Sequence, residues 1–131
     1  MIMKILVAYD KNVSTSKVMN EALFRAKKQG AFVFLVRTCS PDIQQLEINQ
    51  MESQLAELGQ EVFKKNGVEC EPHILIRGLT PGEDIVRYAR EKQVDEIIIG
   101  IKKKSKVGKL VFGSTAQYII LEAHCPVLSV K

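Results

Sequence analysis

The sequence predicts an α/β domain, an open five-stranded parallel sheet with helices on both faces. Two observations carry this. Short apolar, β-branched runs alternate with longer stretches whose apolar residues recur at three- and four-residue spacing, along the whole chain. The stretches between the runs are also long enough for helical crossovers, which parallel strands require and hairpins do not. A length of 131 residues fits a single domain covering 1–131, since domains cluster at about 100–150 residues.

Ile5-Leu6-Val7-Ala8-Tyr9 is a continuous apolar run, as expected of a strand covered on both faces. Ser14, Thr15 or Ser16 can cap the following helix, whose stripe is Met19, Ala22, Leu23 and Ala26 and whose end is Gly30. Ala31 to Val36 reads as the second strand. After Pro41-Asp42, the spacing of Met51, Leu55, Leu58 and Val62 predicts a long amphipathic helix stopped at Asn66-Gly67. His73 to Ile76 reads as the third strand. In Thr80-Pro81-Gly82-Glu83, Thr80 can cap, Pro81 suits the first helical position and Glu83 can complete a capping box. Ile85, Val86 and Ala89 give that helix its buried stripe. Ile97 to Ile99 forms the fourth strand. Ala116, Ile119, Ile120 and Ala123 mark a last helix starting near Gly113-Ser114, and Pro126 to Val130 forms the fifth strand.

Composition narrows the function. With 46% apolar and 26% charged residues the chain is an ordinary globular sequence. No apolar run approaches the roughly 18 residues of a membrane span, and the first residues lack the regions of a signal peptide. Cys39, Cys70 and Cys125 are scattered, without a CxxC pair or zinc-site spacing to His73 or His124. They read as packing residues in a reducing, cytoplasmic protein. The formal charge of +4 is local: residues 100–109 hold five lysines and no acid, and the rest of the chain has 14 basic against 15 acidic residues. This argues for a local anion site and against a broad nucleic-acid or membrane face.

In open α/β sheets ligands bind beyond the carboxyl ends of the strands. The strands deliver Asp10, Lys11 and Asn12, then Val36, Arg37 and Thr38, then Arg77 and Gly78, and last Gly100 with the lysines. A Rossmann turn is excluded because no glycine follows the first strand. A P-loop is excluded because Lys103 stands where its first glycine would be and Leu110 where its hydroxyl residue would be. There is no GxSxG elbow and no paired set of strand-end carboxylates for acid–base chemistry. Gly113-Ser114-Thr115 remains. It opens a helix with free backbone N–H groups, two hydroxyls and a positive dipole end, which would seat a phosphate. On local sequence alone the plainer reading, a turn glycine followed by a helix-capping serine, is the favoured one.

The chain resembles the universal stress protein family over essentially its whole length. The resemblance rests on Ile5 to Asp10, on Gly78-Leu79-Thr80-Pro81-Gly82-Glu83-Asp84-Ile85, on Ile98-Ile99-Gly100 followed by Gly113-Ser114-Thr115-Ala116, and on Cys125-Pro126-Val127-Leu128. It implies strand order 3-2-1-4-5 and an adenine nucleotide, ATP or AMP, as ligand. Members that bind nucleotide carry Gly, two residues, Gly, nine residues, Gly, then Ser or Thr. Gly100, Gly113 and Ser114 match, and Lys103 replaces the middle glycine. A glycine there would allow close backbone approach to phosphate, whereas lysine brings charge instead. By the same resemblance Asp10 and Val36 contact the nucleoside, and Thr115 and Lys103 join the phosphate seat. Hydrolysis of ATP should be slow at most, with no general base evident.

In the implied order the fifth strand lies at the sheet edge, and its apolar Val127, Leu128 and Val130 favour a homodimer joined there. The alternative function is an interaction module with an empty nucleotide site, its lysine loop meeting an acidic protein partner. Position 103 separates the two.

Overall fold

Residues Ile5, Leu6 and Val7 are fully buried, so the first strand must lie inside the sheet with helices over both of its faces. The computed structural model describes residues 2–11, 13, 15–101 and 113–131. Asn12, Ser14 and the lysine segment with Lys103 lie outside the described residues. The elements are β1 (Lys4–Ala8), α1 (Thr15–Gln29), β2 (Phe32–Thr38), α2 (Gln45–Val62), β3 (Cys70–Leu75), α3 (Pro81–Glu91), β4 (Glu96–Gly100), α4 (Ser114–Glu122) and β5 (Val127–Val130). A single 3₁₀ turn, Lys64–Asn66, follows α2. All strand pairs are parallel, in the order β3-β2-β1-β4-β5, as the resemblance implied.

The alternation of side chains along each strand builds two cores. Ile5, Val7, Val33, Leu35 and Ile98 face α1 and α2, meeting Val18, Met19, Ala22 and Leu55. Leu6, Ala8, Phe34, Val36, Ile97 and Ile99 face α3 and α4, meeting Ile85, Val86, Ala89, Ala116 and Ile119. Gly59 lets α2 lie close to the sheet, because a Cβ there would stand 3.2 Å from the Sγ of Cys70. Gly67, at φ +81°, turns the chain from the 3₁₀ turn into β3.

Two strands differ from expectation. β2 runs on to Thr38, two residues past Val36, because Arg37 and Thr38 stay in register with Ile74 and Leu75. β3 begins at Cys70 rather than His73 and contains Pro72. The ladder explains how: Val33 N–H donates to the Glu69 carbonyl and Cys39 N–H to that of Leu75, so odd-numbered residues of β3 face β2. Pro72 falls on the outer edge, where its missing N–H breaks no sheet bond and blunts the edge against further pairing.

The box at the start of α3 also differs in detail. Thr80 is the N-cap and Pro81 the first helical residue, but the Thr80 hydroxyl donates to the Glu83 carboxylate at 2.6 Å, and makes no bond to a backbone N–H. The two side chains meant to cap the helix hold each other.

A crevice beyond the carboxyl ends of β1, β2 and β4

The sheet order reverses between β1 and β4, and α1 and α4, the helices next after them in the chain, lie on opposite faces of the sheet. A crevice of about 330 Å³ opens at that point. Its walls bring together most of the residues named from sequence: Asp10, Gly100, Gly113, Ser114 and Thr115 all line it. Val36 does not. It is fully buried in the core beneath α3, and its carbonyl accepts the Tyr9 N–H at 2.8 Å. With β2 extended, Arg37 and Thr38 take the wall position instead. Pro81 and Ile85 of α3 line the same crevice, an arrangement that only the tertiary fold produces.

One rim is the first turn of α4. Gly113 is its N-cap in extended geometry (φ −67°, ψ 161°) and has no side chain with which to cap. The first-turn N–H groups of an α-helix have no partner within the helix, and they carry the positive end of the dipole. At α4 they belong to residues that line the crevice, beside the hydroxyls of Ser114 and Thr115. The rim is held in place by α3: a Cβ on Gly82 would lie 2.9 Å from the Tyr118 Cβ, so α4 rests directly on a helical glycine.

The opposite rim is the turn after β1, with Tyr9, Asp10, Lys11 and Val13. Val13 N–H donates to the Asp10 carbonyl at 3.3 Å, closing the turn. Gly100 seats it. A Cβ there would be 2.5 Å from Val13 Cγ2 and 2.8 Å from Val18 Cγ2. The glycine matched to the phosphate motif is therefore required by packing against α1 and its leading turn.

The arginines at the strand ends have different fates. Arg77 donates to Asp84 and to Glu91, both at 2.6 Å, and Asp84 is buried. Burial works against the Arg77 charge, but these bonds outweigh it and raise its pKa above the ordinary value. Arg77 is thus consumed in fixing α3. Arg25, elsewhere, is bidentate on Glu96 at 2.8 and 2.7 Å. Arg37 lines the crevice with its guanidinium 5.0 Å from the centre of the Tyr9 ring, and among the described residues no carboxylate pairs with it.

Comparison with known proteins agrees with this architecture. The model of the universal stress protein family matches residues 1–131. The chain belongs to that family. A universal stress protein of Thermus aquaticus is 30% identical across the full length of both chains. One from Methanocaldococcus jannaschii is 38% identical over 84 residues, which cover 59% of this chain and 48% of that protein. Among solved structures, a universal stress protein of Archaeoglobus fulgidus superposes with a TM-score of 0.85 at 36% identity, covering all of both chains. Another, the universal stress protein of the same organism in complex with dAMP, gives 0.80 at 32%, again over all of both chains. No helix of this universal stress protein, among the described residues, is long and apolar enough to cross a membrane.

Proposed function

We propose that this universal stress protein is a regulatory protein that binds an adenine nucleotide, ATP or AMP, in the crevice between β1 and β4. The observation that carries the reading is the first turn of α4. Its N–H groups and two hydroxyls lie along one wall of a cavity sized for a small ligand, at the switch point of the sheet. The dAMP complex of the Archaeoglobus fulgidus relative, 32% identical over its whole length, supports the class of ligand. The phosphates sit on Gly113, Ser114 and Thr115, with Lys103 adding charge, and Asp10 meets the ribose. Asp10 is the only carboxylate among the described lining residues, so the site binds and does not turn over rapidly.

The test is to denature the purified protein, assay the released adenine nucleotide, and titrate the stripped protein with ATP and AMP by calorimetry. Released nucleotide, or a saturable heat, is expected. No released nucleotide together with no heat at millimolar ligand would overturn the reading.

The same protein is proposed to form a homodimer through β5. Ile97 and Ile101 donate to the carbonyls of Pro126 and Val130, so Val127 and Ser129 turn their backbone groups outward with no proline to blunt them. On neighbouring α4, Ile120 and Leu121 are 42% and 78% exposed, an apolar surface suited to a second copy. Sedimentation equilibrium should give a dimer that Ser129→Pro converts to monomer. A parent that sediments as a monomer at micromolar concentration contradicts this.

A further inference from the structure

Arg37 is an unusual cation in this molecule. Arg25 and Arg77 are each satisfied by carboxylates, at 2.6 to 2.8 Å. Arg37 is half-buried in the crevice wall against a tyrosine ring, and among the described residues no carboxylate forms an ion pair with it. Contact with the ring face steadies the guanidinium, its in-plane N–H donors have no partner among the described residues, and such a planar fork matches phosphate oxygens. Lys11, exposed on the same wall, adds a second positive charge.

The position of Arg37 decides what that charge can serve. It is the next-to-last residue of β2, and β1 separates β2 from β4, after which α4 is the next element in the chain. Two strand spacings amount to about 10 Å. An anion on Gly113-Ser114 and one at Arg37 would on that spacing be two groups of one ligand, since both places line the same crevice. A nucleoside monophosphate has only the first. With its 5′-phosphate on α4, its sugar and base lie toward β1 and β2, where a lone guanidinium gains nothing from a neutral ribose edge that it could not gain from water.

We propose that the preferred ligand is an adenosine nucleotide phosphorylated on the ribose 2′- or 3′-hydroxyl as well as at the 5′ position, and that Arg37 selects the ribose phosphate. The proposal rests on the adenine-nucleotide reading of the crevice. Asp10, in the same wall, is consistent with it: a carboxylate suits the one hydroxyl that remains and disfavours a phosphate at that point, which confines the second phosphate to the Arg37 side.

The test is calorimetric titration of the stripped full chain with AMP, adenosine 3′,5′-bisphosphate and adenosine 2′,5′-bisphosphate, repeated for Arg37→Met and Arg37→Lys. One bisphosphate should bind about tenfold or more tightly than AMP, the worth of one charge-assisted hydrogen bond. Which bisphosphate it is identifies the hydroxyl. The ratio of bisphosphate to AMP affinity should fall to about one in Arg37→Met and to an intermediate value in Arg37→Lys, which keeps the charge and loses the fork. AMP binding with no preference, or a preference that survives Arg37→Met, overturns the proposal and leaves the adenine-nucleotide reading standing. Binding of none of the three ligands, and of no ATP in a parallel titration, overturns both.

Discussion

The two rims of the crevice are each seated on a glycine, yet they offer a ligand different things. The turn after β1 sits on Gly100 through Val13 and Val18, and it presents side chains: Tyr9, Asp10 and Lys11, with Arg37 beside them. The first turn of α4 sits on Gly82 through Tyr118, and it presents backbone N–H groups and short hydroxyls. On the proposed reading one rim discriminates by charge and shape, and the other seats an anion. A glycine beside a binding site thus need not touch the ligand. Its contribution can be to let the ligand-bearing segment come close enough.

Substitutions that separate seat from surface probe this difference. The largest effect is expected at Gly100. In Gly100→Ala the added methyl meets two branched side chains at 2.5 and 2.8 Å, one of them Val18 on a buried helix face. Overpacking of this kind should cost about 3 kcal/mol in urea unfolding. Val13→Ala in the same chain should recover part of that loss, because the two sites share the clash. A Gly100→Ala protein as stable as its parent would show that packing does not explain the residue.

A smaller effect is expected at Gly82. Its methyl would meet the Tyr118 Cβ at 2.9 Å, but alanine in place of a helical glycine returns close to 1 kcal/mol of helix propensity. The net loss in Gly82→Ala should be about 1 kcal/mol, measured in the same way. Nucleotide affinity should fall with it as α4 is pushed outward. Unchanged affinity would mean that the α4 rim does not depend on this contact.

The smallest effect on the fold is expected at Ser114. Gly113 is the N-cap, so Ser114→Ala removes no cap and should leave stability within about 0.5 kcal/mol. Loss of one hydroxyl from the phosphate seat should weaken AMP binding by roughly three- to tenfold. Lost stability with intact affinity would reverse the roles assigned to Ser114.

Much of this was legible in the sequence because it depends on local pattern. The alternation of continuous apolar runs with helical stripes gives every strand and helix in order, and α4 starts near Gly113-Ser114 as expected. What was not legible depends on pairing across the sheet. Val36 looks like a strand end when only its own run is read, but register with β3 carries β2 on to Thr38 and moves the wall to Arg37. Pro72 argues against a strand until the ladder shows that it faces outward. Gly100 matches a phosphate motif by spacing, and only the positions of Val13 and Val18 reveal its packing role. Arg37 and Arg77 look alike at their strand ends, and the difference lies in Asp84 and Glu91, which the fold brings to one and not to the other.

In the proposed complex a nucleotide lies across both rims with its phosphate on α4. A titration of isotope-labelled protein with AMP, followed residue by residue through the backbone amide resonances, tests it most directly. Saturable shifts are expected at Gly113, Ser114 and Thr115 together with Tyr9, Asp10 and Arg37, and none at Pro72's neighbours on the far edge of β3. Shifts that spare the first turn of α4, or no shifts at millimolar AMP, would contradict it.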